Sequence, residues 1–466
     1  PIVERTRTGR RLSADHQPTA EVRMLELAVV PEKSLTNDDI QLILGMPLNQ
    51  VIQSLQRQFE VIHNIELGYS DKFPLGGDIT LDLKQDGIRL VFEPTSQRLK
   101  LIEVTDLSRV QLSYSGTVFC SREVRPTREQ IDETFGATHP GEFDADSSLF
   151  HLKFRGLCFS FAVEKACDKT DKASPKGCKI TPKTGNENKD GRSPRSIRGS
   201  PCPLDGKGVF SSLVSRMSIY SGSSHKDTVP PPLPLSSFGM SIFLEQLKVL
   251  RDTGEPGGGR TRGVELEIVL RASVDRTNMA TKKTLKRRIL FGDSVSDVVS
   301  AVGSPSKVFY KEEDKMRIHA PSARDSIDTT SVERSDYFYN YFTLGMDVLF
   351  DARRHTAKKI VLHTNFPGHY DFNSYHRCNF TMVLPSIQGE PDVVVNTFTK
   401  WNDITDRLMS KEERPVLLNR GGSTPNTANP FGPTYCYGCC GDTIVEVIPF
   451  NNHIASVTLF DASVAS

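Results

Sequence analysis

The chain is poor in the features that most quickly betray a function. Its 58 Lys and Arg against 57 Asp and Glu leave a formal net charge of +1, which excludes a generally basic nucleic-acid binder and an acidic solvating chain. Apolar runs such as Ile360–Leu362 or Val393–Val395 fall far short of the roughly 20 residues that a helical membrane span requires. The nine cysteines (Cys120, Cys158, Cys167, Cys178, Cys202, Cys378, Cys436, Cys439 and Cys440) are odd in number and irregularly spaced, which is not a disulfide framework. No apolar segment opens the chain, so no secretory signal is expected, and the reducing cytosol is the expected compartment. The segment Gly254–Arg260 lacks the Gly-Lys-Ser/Thr ending of a P-loop and the strand–helix context of a dinucleotide site, and reads as a flexible turn.

What the chain does have is length and repetition. Its 466 residues suffice for about three domains at roughly 150 residues each. Residues 1–23 read as a disordered, arginine-rich tail. Residues 165–207 hold 11 basic and 5 acidic residues with almost no large apolar ones, and read as a disordered insertion. Ser-Pro pairs at Ser174, Ser193 and Ser200 are candidate phosphosites there, where phosphate would cut the positive charge.

Four short helical patterns each precede a run of alternating apolar residues. Leu48, Val51, Ile52 and Leu55 form one apolar stripe, and Val295, Val298, Val299 and Val302 another. Thr127 with Gln130, and Ser294 with Asp297, are capping-box pairs. Gly136 and Gly303 stand where a left-handed C-terminal cap would end those helices. The fourth pattern, Trp401, Ile404 and Leu408, is weaker and lacks the terminal glycine.

Each unit is expected to close with a hairpin. Leu90 and Phe92 lead to Leu99 and Leu101, Val348 and Phe350 to Ile360 and Leu362, and Val445 and Val447 to Val457 and Leu459. Leu157, Phe159 and Phe161 should pair with Val214, Met217 and Ile219, leaving the insertion at that hairpin's tip, where added length costs least. The expected fold class is therefore α+β: about four modules, each a short helix on a curled antiparallel sheet, packed together to complete their cores. The expected boundaries are 24–115, 116–235, 286–372 and 373–466, with 236–285 as a connector carrying two strands.

Candidate chemistry is sparse. Cys436-x2-Cys439 with Cys440 is half a zinc pattern, but His453, His376 and Cys378 stand at no standard spacing from it, and no metal ligand set or cofactor site is expected. His363, His369, Asp371, His376 and Cys378 lie close in sequence, and an enzyme centred on His363–Cys378 is one alternative reading. The interleaved Phe366, Tyr370, Phe372 and Tyr375 favour a loop packed on a sheet edge instead. Lys282, Lys283, Lys286, Arg287 and Arg288 could contact anionic lipid headgroups or form a solvated strand. Phe338, Tyr339, Tyr341 and Phe342 are candidate partner anchors, although consecutive strand positions send half of them to a core.

Several stretches carry a resemblance. They are Phe135–Gly141, Phe291–Ser294, Gly303–Lys311, Glu313–His319, Asp336–Gly345, His363–Tyr370, Tyr375–Cys378 and Asn451–Leu459. Together they resemble the phagosome assembly factor 1 family over about residues 24–460, without the tail and the insertion. The helix-with-glycine units are similar, more loosely, to the modules of beta-lactamase inhibitory protein and of bacterial outer-membrane assembly lipoproteins. The family resemblance implies a non-catalytic cytosolic interaction factor in autophagy. It further implies a WD-repeat β-propeller partner, recruitment to the phagophore assembly site and peripheral association with phosphoinositide-marked membrane. A Golgi or vesicle-trafficking adaptor is the second reading.

Overall fold

The structure is a computed structural model that describes residues 24–136, 138, 141–165, 208–239, 242–252, 259–274, 280–311, 335–387, 389–410, 412–419 and 431–461. The 1–23 tail, nearly all of the 165–207 insertion with Ser174, Ser193 and Ser200, and the Glu313–His319 stretch lie outside the described residues.

The chain forms two halves of matching order. The first opens with three strands, β1 (Leu25–Val30), β2 (Ser34–Thr36) and β3 (Gln41–Ile43). Helix α1 (Leu48–Arg57) and a meander follow: β4 (Ile65–Gly68), β5 (Ile79–Leu83), β6 (Ile88–Phe92) and β7 (Leu99–Val104). Next come β8 (Val110–Tyr114), β9 (Thr117–Cys120), helix α2 (Arg128–Phe135) and a second meander: β10 (Glu142–Asp144), β11 (Leu149–Phe154), β12 (Leu157–Lys165) and β13 (Gly208–Tyr220).

After the short α3 (Leu235–Phe238), the second half repeats that order. It runs β14 (Phe243–Arg251), β15 (Thr261–Val274), β16 (Ala280–Leu290), α4 (Val295–Val302), then β17 (Lys307–Tyr310), β18 (Tyr337–Tyr341), β19 (Met346–Phe350) and β20 (Ala357–His363). Strands β21 (Phe380–Leu384) and β22 (Val393–Asn396) precede a 3-10 turn (Trp401–Asp403) and α5 (Thr405–Leu408). Strands β23 (Val416–Leu418), β24 (Thr434–Cys439), β25 (Thr443–Val447) and β26 (Ile454–Phe460) close the chain.

Among the described residues, each half holds a five-stranded and an eight-stranded sheet. The eight-stranded sheets are ordered β10-β11-β12-β13-β7-β6-β5-β4 and β17-β18-β19-β20-β26-β25-β24-β23, so two meanders join through their last strands. The five-stranded sheets are ordered β3-β2-β1-β8-β9 and β16-β15-β14-β21-β22, with one parallel contact each, Leu25↔Val110 and Leu247↔Phe380. The segment expected to be a connector with two strands is three-stranded and opens the second half as β1–β3 open the first.

The repeat has one local signature. The residue at the helix N-cap bridges to the closing strand of its module: to the residue just before it in three (Pro47↔Arg98, Ser294↔Thr356 and Lys400↔His453) and to Leu213 within β13 in the other (Thr127↔Leu213). In three modules the residue before the bridge partner (Gln97, His355 or Asn452) has φ between 53° and 58°. Its carbonyl accepts the first helical N–H, from Leu48, Val295 or Trp401, satisfying one of the donors a helix start leaves open.

Both expected capping boxes form, at Thr127–Gln130 and Ser294–Asp297. Gly136 and Gly303 end those helices at φ 85° and 84°, but with ψ near 180°, an extended conformation open to glycine rather than a left-handed helical cap. The fourth helix, with neither a side-chain cap nor a terminal glycine, breaks into the 3-10 turn and α5. The expected hairpin register across the insertion is observed: Leu157↔Ile219, Phe159↔Met217 and Phe161↔Val214.

Each half has its own apolar core. The first buries Leu48, Val51 and Leu55 of α1 with Leu90, Phe159 and Met217 of its large sheet. The second buries Val298 and Val302 of α4 with Val348, Ile360 and Val457. The strands of the large sheets also present a second, outer face, and returning segments roof parts of it. Residues after β13 cover one, and residues 364–379, between β20 and β21, cover the other.

Candidate functional site

Strand alternation fixes what the outer face of the second large sheet displays. Met346 and Val348 point into the core, so Asp347 points out; Val445 and Val447 do likewise, exposing Glu446; Ser456 follows the same rule on β26. The loop after His363 then folds over these polar groups and buries them.

The result is one chain of alternating charges. His363 Nε2 donates to Asp347 Oδ2 at 2.9 Å and Nδ1 to Asp371 Oδ2 at 2.8 Å. His369 Nδ1 donates to the other oxygen of Asp371, and Nε2 to Glu446 Oε1 at 3.2 Å. Thr434 and Ser456 hydroxyls donate to Glu446 at 2.6 and 2.8 Å. Asn340 and the Tyr375 hydroxyl donate to Asp347 at 2.8 and 2.9 Å, and the Tyr375 ring stacks on His363 at 3.8 Å between centroids.

Burial by itself would depress the His363 pKa, but the bonds to Asp347 and Asp371 outweigh it and hold the imidazolium at about 9. His369 is raised in the same contest, by Asp371 and Glu446. Burial would raise Asp371, yet its two imidazolium partners hold it well below the usual carboxylate range. The residue types are those of an acid–base relay. The geometry spends both nitrogens of both rings on carboxylates, and all five side chains are buried.

What the network does structurally is clear from its flanks. Asn365, in a left-handed turn at φ 53°, donates to Gln97 Oε1 at 2.7 Å, and Gln97 Nε2 donates back to the Asn365 carbonyl at 2.8 Å. Arg377 donates to the carbonyls of Pro94, Thr95 and Thr364 and lies 4.4 Å over the Phe366 ring. Asn451 donates to the Asp71 carbonyl, and Phe372 packs edge-on against Tyr69 within the first core. The loop is thus a staple from the second half into the first. A cleft of about 680 Å³ opens beside it, lined by Arg98, Leu233, Phe238, Glu245, His376 and Phe398 among others.

The other sequence candidates are dispersed. Tyr341 is buried, its hydroxyl donating to the Gly303 carbonyl at 3.3 Å. Phe342 packs on Tyr375 and Tyr339 on Phe350, both half-buried. Phe338 is half-buried and pairs across the strands with Phe309, which is 50% exposed. Strand β16 carries the basic run, with Lys282 opposite Ala272. Alternation puts Lys286 and Arg288 on one face and Lys283 and Arg287 on the other. Arg288 pairs with Glu265 at 2.7 Å. Cys378 and Cys439 are buried in the second core, and Cys440 is exposed on a turn. Among the described residues no helix is long and apolar enough to cross a membrane.

Comparison with known proteins agrees with the resemblance drawn from the motifs. The pattern of the Phagosome assembly factor 1 family matches residues 38–460. The chain belongs to that family. A PHAF1 protein of Drosophila melanogaster is 42% identical over 454 residues, covering 94% of this chain and 95% of the fly protein. PHAF1 proteins of Caenorhabditis elegans and Arabidopsis thaliana are 32% and 31% identical, each covering at least 90% of both chains. No solved structure matches the chain. Members of the Phagosome assembly factor 1 family thus align across both halves and the staple, not with one module.

Proposed function

We propose that this chain is a non-catalytic protein-interaction factor in phagosome assembly and autophagy. It acts with a WD-repeat β-propeller partner at the phagophore assembly site, and its association with phosphoinositide membrane is peripheral. Family membership supports the process. The observation that carries the non-catalytic part is the saturation of the His363–His369 network: its rings have no nitrogen left for a substrate, and its groups serve the joint between halves.

Docking needs surface, and the ends of the second large sheet supply it. Edge strand β17 exposes Val308, Phe309 and Tyr310, and edge strand β23 exposes Val416 and Leu417. Exposed apolar edges are templates for pairing with another chain. Phe338, beside Phe309, is the anchor of the sequence set best placed for contact.

Affinity purification from starved cells tests the reading. Recovery of a β-propeller protein, lost in Phe309→Asp with Phe338→Ala but retained in Tyr341→Phe, supports it. Recovery of Golgi coat components instead points to a trafficking adaptor. A hydrolytic activity abolished by His369→Ala would overturn the non-catalytic reading.

A further inference from the structure

The outer face of the first large sheet carries a second histidine cluster, far from the staple. His151 on β11 and Cys158 on β12 lie diagonally across one antiparallel pair, whose register is His151↔Ser160 and Lys153↔Cys158. After β13 the chain turns back through the Gly222↔Thr228 bridge and lays His225 over them, its ring 4.4 Å from that of His151. One donor atom from each of the three residues falls within 4.8 Å of the others.

The cluster holds two unsatisfied nitrogens. His151 Nε2 and His225 Nδ1 are buried and make no hydrogen bond, and His151 is only 5% exposed. A buried polar atom without a partner is destabilising and asks for an explanation such as an ion. Ser160 Oγ lies 2.9 Å from His151 Nδ1 and Asp144 Oδ2 3.9 Å from Nε2.

We propose that His151, Cys158 and His225 bind a divalent transition-metal ion of the zinc class, with Asp144 or water completing four-coordination. Imidazole nitrogen and thiolate sulfur are the donors such ions take. Burial, with the nearby His151, Lys153 and Lys226, drops His225 to about 4, so one ring nitrogen keeps its lone pair at neutral pH. Burial also pushes the Cys158 thiol up to about 12, so binding displaces its proton to solvent. Ser160, at His151 Nδ1, would orient the ring, as hydrogen-bond partners of metal-bound histidines do, and Cys158 Sγ lies 3.9 Å from that same nitrogen. The ion would fasten the segment after β13, which leads to Pro231, whose carbonyl accepts from Arg98 beside the cleft between halves.

The test uses the full chain, stripped with chelator and titrated with Zn(II) alone and Co(II) alone. The expected result is one ion per chain with a thiolate-to-Co(II) absorption band. Cys158→Ser should abolish that band, and His225→Gln, on an exterior turn, should weaken binding tenfold or more. Circular dichroism confirms that each variant is folded. The chain has nine cysteines, so binding alone is not enough. A folded wild-type chain with no such band, or a band unchanged by both substitutions, overturns the proposal.

Discussion

The two large sheets each bury histidines on their outer faces, yet the two burials end differently. Over the second sheet, Asp347, Asp371 and Glu446 meet every ring nitrogen of His363 and His369. Over the first, the rings of His151 and His225 meet tilted at 47°, and each keeps a nitrogen without a hydrogen bond. Carboxylates hold His363 protonated to about 9, whereas burial among cations leaves His225 neutral down to about 4. The saturated cluster is a joint and the unsaturated one is a receptor. The comparison teaches that the partners of a histidine, rather than its burial, decide whether it holds the fold or waits for a ligand.

The sharpest way to break this contrast is to remove one charge from the joint. Asp347→Asn or His363→Gln leaves a buried ion uncompensated and should cost about 3–5 kcal/mol in denaturant unfolding. The double variant should recover part of that loss. A cost under about 1 kcal/mol would mean the network is not structural.

The same joint sets a pH signature. The folded pKa of His363, about 9, lies above its unfolded value, so its contribution is full below about 6.5 and is lost as pH rises through 9. The expected loss is about 3 kcal/mol, read as the difference between wild type and the His363→Gln/Asp347→Asn double variant. A difference that stays flat from pH 6 to pH 9.5 would contradict it.

Arg377 sharpens the comparison by testing the staple itself. Arg377→Met keeps stem volume but strands the carbonyls of Pro94, Thr95 and Thr364, at a cost of about 2–3 kcal/mol. Calorimetry should then show the two halves unfolding less cooperatively than in wild type. A smaller effect is expected at the repeated helix starts: Ser294→Ala and Thr127→Ala each remove a capping bond for about 1 kcal/mol.

The parts of this structure that were legible in the sequence are the local ones. Capping pairs, the α1 and α4 stripes and the register of Leu157 against Ile219 follow from spacings within a few residues or from strand alternation. The five-stranded sheets were not legible, because Leu25 pairs with Val110 and Leu247 with Phe380 across whole modules. His363 and His369 stood out, but Asp347 and Glu446, which fix their role, come from other strands. In sequence the basic run fits either lipid contact or a solvated strand; on β16 alternation sends Lys286 and Arg288 to one face and Lys283 and Arg287 to the other, and Arg288 pairs with Glu265. His151, Cys158 and His225 share no motif spacing. Their meeting depends on a cross-strand diagonal and a returning turn, and only the alternation that puts His151 and Cys158 outside the core hinted at it.

The smallest expected effect bears most directly on the receptor side of the contrast. His225 sits on a turn, makes no hydrogen bond through Nδ1 and is only half-buried. In the metal-free chain His225→Gln should therefore change unfolding free energy by no more than about 0.5 kcal/mol, an order of magnitude below the expected effect of Asp347→Asn. With Zn(II) in excess, wild type should gain thermal stability through mass action and the variant should gain less. A large loss in the metal-free variant would make His225 a structural residue like His363, and the two clusters would then be joints of the same kind.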